Sequence, residues 1–125
     1  MEQKIRGTVT GGHRLGRKLG FPTANVPVSG NEGIGSGVYL ARVEVAGRVY
    51  DGIANLGSRP TVADSPERLL EAYLFDFEGD LYGREITVVL RRFIRPERKF
   101  ASVEELRGQI ARDKATALEW LKEAP

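Results

Sequence analysis

Val38-Tyr39-Leu40-Ala41-Arg42-Val43-Glu44-Val45, then Ala46-Gly47, then Arg48-Val49-Tyr50-Asp51-Gly52-Ile53-Ala54, is the stretch on which the fold turns. Two runs rich in β-branched and aromatic residues flank a two-residue turn, which is the spacing of an antiparallel hairpin. Residues 69–77 read as a buried strand, with Leu70, Ala72 and Leu74 on one face and Leu69, Tyr73, Phe75 and Phe77 on the other. Glu71 alone interrupts the second face. Turn residues follow at Glu78-Gly79-Asp80, and the β-branched run Ile86-Thr87-Val88-Val89-Leu90 is expected to pair back as a second hairpin. Upstream, residues 4–10 read as a strand that Gly11-Gly12 ends.

Ser102-Val103-Glu104-Glu105 fits a capping box, so a helix is predicted to start there. Val103, Leu106, Ile110, Ala117 and Leu121 form one apolar stripe, with Arg107, Arg112 and Lys114 off it. Several strands followed by one C-terminal helix predict a mostly antiparallel β fold, in which closure into a barrel removes exposed edges. The strand and helix alternation of a doubly wound sheet is absent, as are internal repeats.

The 125 residues, 41% of them apolar, suit a single domain spanning 1–125 with one core. Lys and Arg total 19 against 17 Asp and Glu, a near balance that does not imply nucleic acid as a partner. The absence of cysteine excludes disulfides, thiolate catalysis and Cys-ligated zinc. A single histidine, His13, cannot form a His metal cluster and reads as a solvated loop residue. No apolar run approaches the roughly 20 residues that span a bilayer, and the first residues lack the apolar core of a signal peptide, so no membrane role and a cytoplasmic location are expected.

Residues 11–27 sustain neither period and read as a functional loop rich in Gly, Pro and basic side chains. Its glycines let backbone N–H groups approach an anion, and Arg14, Arg17 and Lys18 add charge, so the stretch reads either as a polyphosphate site or as a solvated turn. It lacks the G-x-x-x-x-G-K-[ST] pattern of the common phosphate loop. In Pro22-Thr23-Ala24-Asn25 a hydroxyl and an amide oxygen, two apart, share a face if the chain is extended. They suit Mg²⁺ already carrying phosphate oxygens, or alternatively a local turn. Residues 30–37, with glycines at 30, 33, 35 and 37, read as a flexible flap or a surface loop. A carboxylate at Glu71, on a strand apolar on both faces, needs a partner or a purpose, and from the residues alone a structural salt bridge to a basic side chain is the favoured reading. Turn capping accounts for Asp76 and Asp80.

The run Gly7 to Asn25, ending Gly-Arg-Lys-Leu-Gly-Phe-Pro-Thr-Ala-Asn, closely resembles the riboflavin kinase family. The resemblance continues through Gly37-Val38-Tyr39, Asn55-Leu56-Gly57-Ser58-Arg59-Pro60-Thr61, Glu71 with Asp76-Phe77, Asp80-Leu81-Tyr82-Gly83, Arg95-Pro96-Glu97 and Lys99-Phe100. It implies a six-stranded antiparallel Greek-key barrel with a C-terminal helix, using Mg-ATP to convert riboflavin to FMN and ADP. By resemblance, Thr23 and Asn25 hold the metal, and with Gly12, Arg17, Leu74 and Tyr82 they form the nucleotide site. Arg95, Arg98 and Phe100 match the flavin segment, and Glu71 matches the general base. In many bacteria such a module is fused to an FMN adenylyltransferase. That second step is not expected of these residues, because its His-bearing signature needs more than one histidine. Two further readings are a non-catalytic flavin- or nucleotide-binding module and an RNA-binding barrel. The retained Glu71, Thr23 and Asn25 speak against the first, and the lack of a basic stripe interleaved with aromatics speaks against the second.

Overall fold

A computed structural model describes residues 3–10, 23–28, 34–58, 68–77 and 79–123. Its six strands are β1 (Gln3–Thr8), β2 (Thr23–Val28), β3 (Gly37–Val45), β4 (Arg48–Ser58), β5 (Arg68–Leu74) and β6 (Glu85–Arg95), followed by one helix, α1 (Val103–Glu123). They form a single antiparallel sheet in the order β1-β6-β3-β4-β5-β2. The sheet curls until its outer strands meet, giving the nearly closed Greek-key barrel that the sequence implied. At the seam the Thr10 N–H donates to the Asn25 carbonyl at 2.9 Å, and a Cβ on Gly7 of β1 would lie 2.4 Å from Val26 Cγ1 of β2.

The β3–β4 hairpin forms where it was expected, from Gly37 against Leu56 to Val45 against Arg48. Ala46 and Gly47 both take positive φ, 50° and 79°, as a two-residue turn matched to strand twist requires. The expected second hairpin does not form. β5 pairs with β4 and β2, and β6 crosses the barrel to lie between β1 and β3. The chain leaves β5 after Leu74 through Asp76, whose φ is 55°, so the alternation breaks there. Phe77 then packs edge-on against Tyr50, 5.0 Å between ring centres, and joins the barrel interior instead of the outer face. Two elements exceed their sequence readings. β4 continues through residues 55–58, because these pair with residues 68–71 of β5, and residues 23–28 are a strand because β5 supplies their partner.

Two apolar groups divide the barrel wall. Ile5, Val26, Val43, Leu56, Leu70, Leu74 and Val88 point inward as the core. Val38, Leu40, Ile53, Tyr73 and Phe75 point outward and are covered by Ile110 and Ala117 of α1. α1 begins with a capping interaction, in which the Glu105 N–H donates to Ser102 Oγ at 3.1 Å. The Glu105 carboxylate reaches back to the Ala101 N–H at 2.9 Å, one residue before the expected one. Val103, expected on the stripe, is exposed, while Gln109 and Asp113 are buried beside Ile110. Among the described residues no helix is long and apolar enough to cross a membrane.

Close packing between β4 and β5 generates a test. A Cβ on Gly52 would lie 2.1 Å from the Tyr73 carbonyl oxygen, a backbone atom that cannot rotate away. Gly52→Ala is expected to lower stability by about 1–3 kcal/mol. In Gly108→Ala, within α1, the new methyl would meet only Arg112 Nη1 at 3.8 Å, and a gain of about 0.5–1 kcal/mol is expected. Urea unfolding of the two variants beside the parent checks both signs.

Candidate active site

Since Leu70, Ala72 and Leu74 point into the barrel, Glu71 and Tyr73 of β5 point out of it. Register then decides what surrounds Glu71. Asn25 of β2 stands opposite it on one side and Asn55 of β4 on the other. The row continues from Asn55 to Val38 of β3 and from Val38 to Arg95 of β6. One line across five strands therefore reads Asn25, Glu71, Asn55, Val38, Arg95. In the next row Thr23 stands opposite Tyr73, and Tyr73 opposite Ile53. Side chains opposite one another on such strands sit about 5 Å apart, so Thr23, Asn25 and Glu71 share one patch of the outer wall.

Three features give this patch chemical character. Glu71 is half-buried and accepts a hydrogen bond from the Tyr73 hydroxyl. Tyr73 itself is only 8% exposed. Burial chiefly, and then the negative charge and hydrogen bond of Glu71, push the phenol well above its ordinary pKa, so Tyr73 remains a donor. Lastly, Asn25 Oδ1 and Asn55 Oδ1 are both buried and have no hydrogen-bond partner among the described residues. Buried amide oxygens without donors are uncommon in folded chains.

The flavin-side residues of the sequence reading lie at the far end of the same row. Arg95 forms a forked pair with Asp113 of α1, Nε to Oδ1 at 2.9 Å and Nη2 to Oδ2 at 2.9 Å. Arg98 Nη1 donates to Gln109 Oε1 at 3.2 Å. Both guanidinium groups face the Phe100 ring, at 5.7 and 5.5 Å from its centre. A small cavity of about 20 Å³ sits among Val38, Asn55, Tyr73, Arg95 and Phe100.

Leu74 and Tyr82 lie apart from this row. The Leu74 side chain is in the barrel core. Tyr82 is 67% exposed on the turn before β6, its N–H bonded to Asp80 at 2.9 Å. At that end of the barrel a cleft of about 320 Å³ is lined by Val45, Arg48, Tyr50, Phe77, Leu81 and Arg84 among others. Gly12, Arg14, Arg17, Lys18, His13 and residues 30–33 of the expected flap lie outside the described residues. Sequence reasoning gave no role to Tyr73, Asn55, Gln109 or Asp113. A signal existed for two of them: Tyr73 follows Glu71 by two on a strand, and Asp113 falls three after Ile110 on the buried side of α1.

A family model for riboflavin kinase, or flavokinase, matches residues 1–121. The chain belongs to the riboflavin kinase family. It is 50% identical over 117 residues to the bifunctional riboflavin kinase/FMN adenylyltransferase of Escherichia coli K12, covering 93% of this chain and 37% of that protein. It therefore spans little more than a third of that relative. The RNA-binding riboflavin kinase RibR of Bacillus subtilis is 46% identical over 109 residues, covering 87% of this chain and 47% of that protein. A solved structure described as a macrolide-efflux protein from Streptococcus pneumoniae superposes with a TM-score of 0.81 at 34% identity, over 94% of this chain and 38% of that one.

The Tyr73 environment predicts how this riboflavin kinase fold responds to alkali. The folded state holds the phenol neutral, whereas the unfolded chain ionises it near the ordinary value of 10.0. Its contribution to stability is therefore full below that value and is lost as pH rises above it, at about 1.4 kcal/mol per pH unit. Measured as the difference between parent and Tyr73→Phe in urea titrations, the slope above pH 10 should be steeper in the parent. Parallel curves would remove Tyr73 from the coupling.

Proposed function

We propose that this chain transfers the γ-phosphate of ATP to the ribityl 5′-hydroxyl of riboflavin, giving FMN and ADP, with Glu71 as general base. The observation that carries the reading is the position of Glu71. It lies in register between Asn25, beside Thr23, and the row that leads to Arg95 near Phe100. A base for phosphoryl transfer must stand between the phosphate donor and the acceptor hydroxyl, within hydrogen-bond reach of the latter.

Thr23 and Asn25 fit a divalent cation that arrives with the nucleotide. Asn25 Oδ1 is buried without a donor, and among the described residues no group of three His, Asp or Glu offers a resident cage. Mg²⁺ retains waters and takes only one or two protein oxygens beside substrate phosphates, which matches this donor set. When bound, the ion would offset the phosphate charge that repels an incoming oxygen. Gly12 and Arg17 are assigned to the phosphates, and Tyr82, with the backbone at Leu74, to the neighbourhood of the nucleotide base.

In the reaction the 5′-hydroxyl gives its proton to Glu71 as its oxygen bonds to the γ-phosphorus. The bond from that phosphorus to the β–γ bridging oxygen breaks, and ADP leaves. The Tyr73 hydroxyl orients the receiving carboxylate. Phe100 supplies an aromatic face for the isoalloxazine, with Arg95 and Arg98 holding the segment that carries it. The near balance of charge supports small-molecule partners over nucleic acid. FMN made here would feed an FMN adenylyltransferase module, the second activity in the name of the bifunctional relative. A cytoplasmic location accords with substrates of this kind.

Incubation with riboflavin, ATP and Mg²⁺, with FMN followed by chromatography, tests the reading beside a Glu71→Gln variant. The parent is expected to form FMN, and the variant to lose about 10²–10⁴-fold in kcat with little change in riboflavin affinity. Equal rates would move the base elsewhere. Binding of flavin and nucleotide by a parent that forms no FMN would instead favour a non-catalytic binding module.

A further inference from the structure

Once the base and the metal ligands are assigned, the buried oxygen of Asn55 is left without a donor among the described residues. Asn25 Oδ1, in the same condition, is accounted for by the cation. Asn55 cannot share that ion. It stands two strands away, with Glu71 between them, a backbone separation of about 9–10 Å, whereas ligands on one Mg²⁺ sit about 2.1 Å from the metal. The missing donor must come from the other side of Glu71, the side of Arg95 and Phe100.

The space available there sets its size. The cavity that Asn55 lines with Val38, Tyr73, Arg95 and Phe100 holds about 20 Å³, room for one water or one hydroxyl and too little for a ring. Its polar groups are largely committed. Arg95 and Asp113 bond each other, and the Tyr73 hydroxyl is engaged with Glu71. Asn55 is the side chain in it that lacks a donor.

We propose that Asn55 Oδ1 accepts a hydrogen bond from a secondary ribityl hydroxyl of riboflavin, at the 3′ or 4′ position, and so sets the 5′-hydroxyl at Glu71. This rests on the kinase reading and deepens it: the site selects a polyhydroxylated chain through one buried acceptor. A 5′-hydroxyl at Glu71 places the preceding carbons one strand further along, over Asn55. A site built to bond a hydroxyl discriminates strongly against an acceptor that lacks it, because its own polar atom is then left buried and unpaired.

Asn55→Leu, nearly the same size without the acceptor, separates a binding role from a structural one. Removing a buried oxygen that has no partner in the free protein does not weaken the fold, so the thermal midpoint should equal or exceed that of the parent. kcat/KM for riboflavin should fall roughly tenfold or more, while KM for ATP stays unchanged. Of the single-deoxy riboflavin analogues, the 3′ or the 4′ compound should react with the parent as poorly as riboflavin does with the variant, and should lose nothing further in the variant. Equal losses on riboflavin and every analogue, an unchanged riboflavin kcat/KM, a raised KM for ATP or a lowered midpoint would each overturn the assignment of Asn55 alone. A parent that forms no FMN overturns the kinase reading and this inference with it.

Discussion

The forked pair between Arg95 and Asp113 is the contact on which the architecture around the site depends. The Asp113 side chain is 3% exposed and that of Arg95 16%, so neither charge retains much water. Such a pair adds little net stability over apolar groups of the same shape, yet breaking it by removing one partner costs about 3–5 kcal/mol. Its value lies in position. The apolar stripe of α1 that meets the barrel is narrow, essentially Ile110 and Ala117 with partial cover from Leu106, Trp120 and Leu121, and a narrow stripe tolerates sliding. A bidentate bond does not, because the guanidinium and carboxylate planes must match. Gln109 extends the lock: its Nε2 donates to Asp113 at 3.0 Å, and its Oε1 accepts from Arg98 and Arg112. The segment between β6 and α1 is thereby tied to the helix through Arg95 and Arg98, whose guanidinium groups lie 5.7 and 5.5 Å from the centre of the Phe100 ring.

For Arg95 to face the helix at all, β6 must break its own alternation. Arg92 and Arg95 are three apart, so on a regular strand they would point to opposite faces. Register shifts against β3, between Val38 and Tyr39 and between Leu40 and Ala41, insert the extra residues. Both arginines then emerge on the outer wall, Arg95 to Asp113 and Arg92 over the Trp120 ring at 3.8 Å. The irregularity also carries β6 along the curve of the barrel, so the same bulges that bend the strand aim its cations.

Much of this was legible in the sequence, and the exceptions have physical causes. The β3–β4 hairpin was readable because strand and turn signals are local and agree. The two faces of β5 were readable from period alone, with Glu71 on the face of Tyr73, whereas which face turns outward was not. β2 was not readable, because Asn25 and Pro27 interrupt its β-branched Thr23, Val26 and Val28 and the strand exists through its pairing with β5. The expected β5–β6 hairpin failed for the opposite reason. Adjacent strands pair by default, but closing the barrel required β6 beside β1 and β3. Within the site, Glu71, Thr23 and Asn25 stood out as chemistry in awkward places, whereas their assembly into one patch depends on register across distant strands. No local signal carries that register. Asn55 was visible only as part of a family-like run and acquired a role once its neighbours were known.

The placement of these residues has a mechanistic consequence. Residues that act on a substrate commonly ride on loops, yet the proposed base Glu71, with Asn25, Asn55 and Tyr73, lies within strands: Glu71, Asn55 and Tyr73 have a paired strand on both sides, and Asn25 pairs with β5 and accepts from Thr10 at the seam. The proposed phosphoryl transfer would ask little covalent chemistry of the protein and much positioning, which makes rigid spacing the useful property. Neighbouring strands supply a step of about 4.8 Å, and in the proposed reaction the row of outward side chains would make that step a ruler from the phosphates, past Glu71, to the flavin. The cost is a wall in which Asn25 Oδ1 and Asn55 Oδ1 have no hydrogen-bond partner among the described residues. In the proposed reaction the cation and a substrate hydroxyl would complete their bonding.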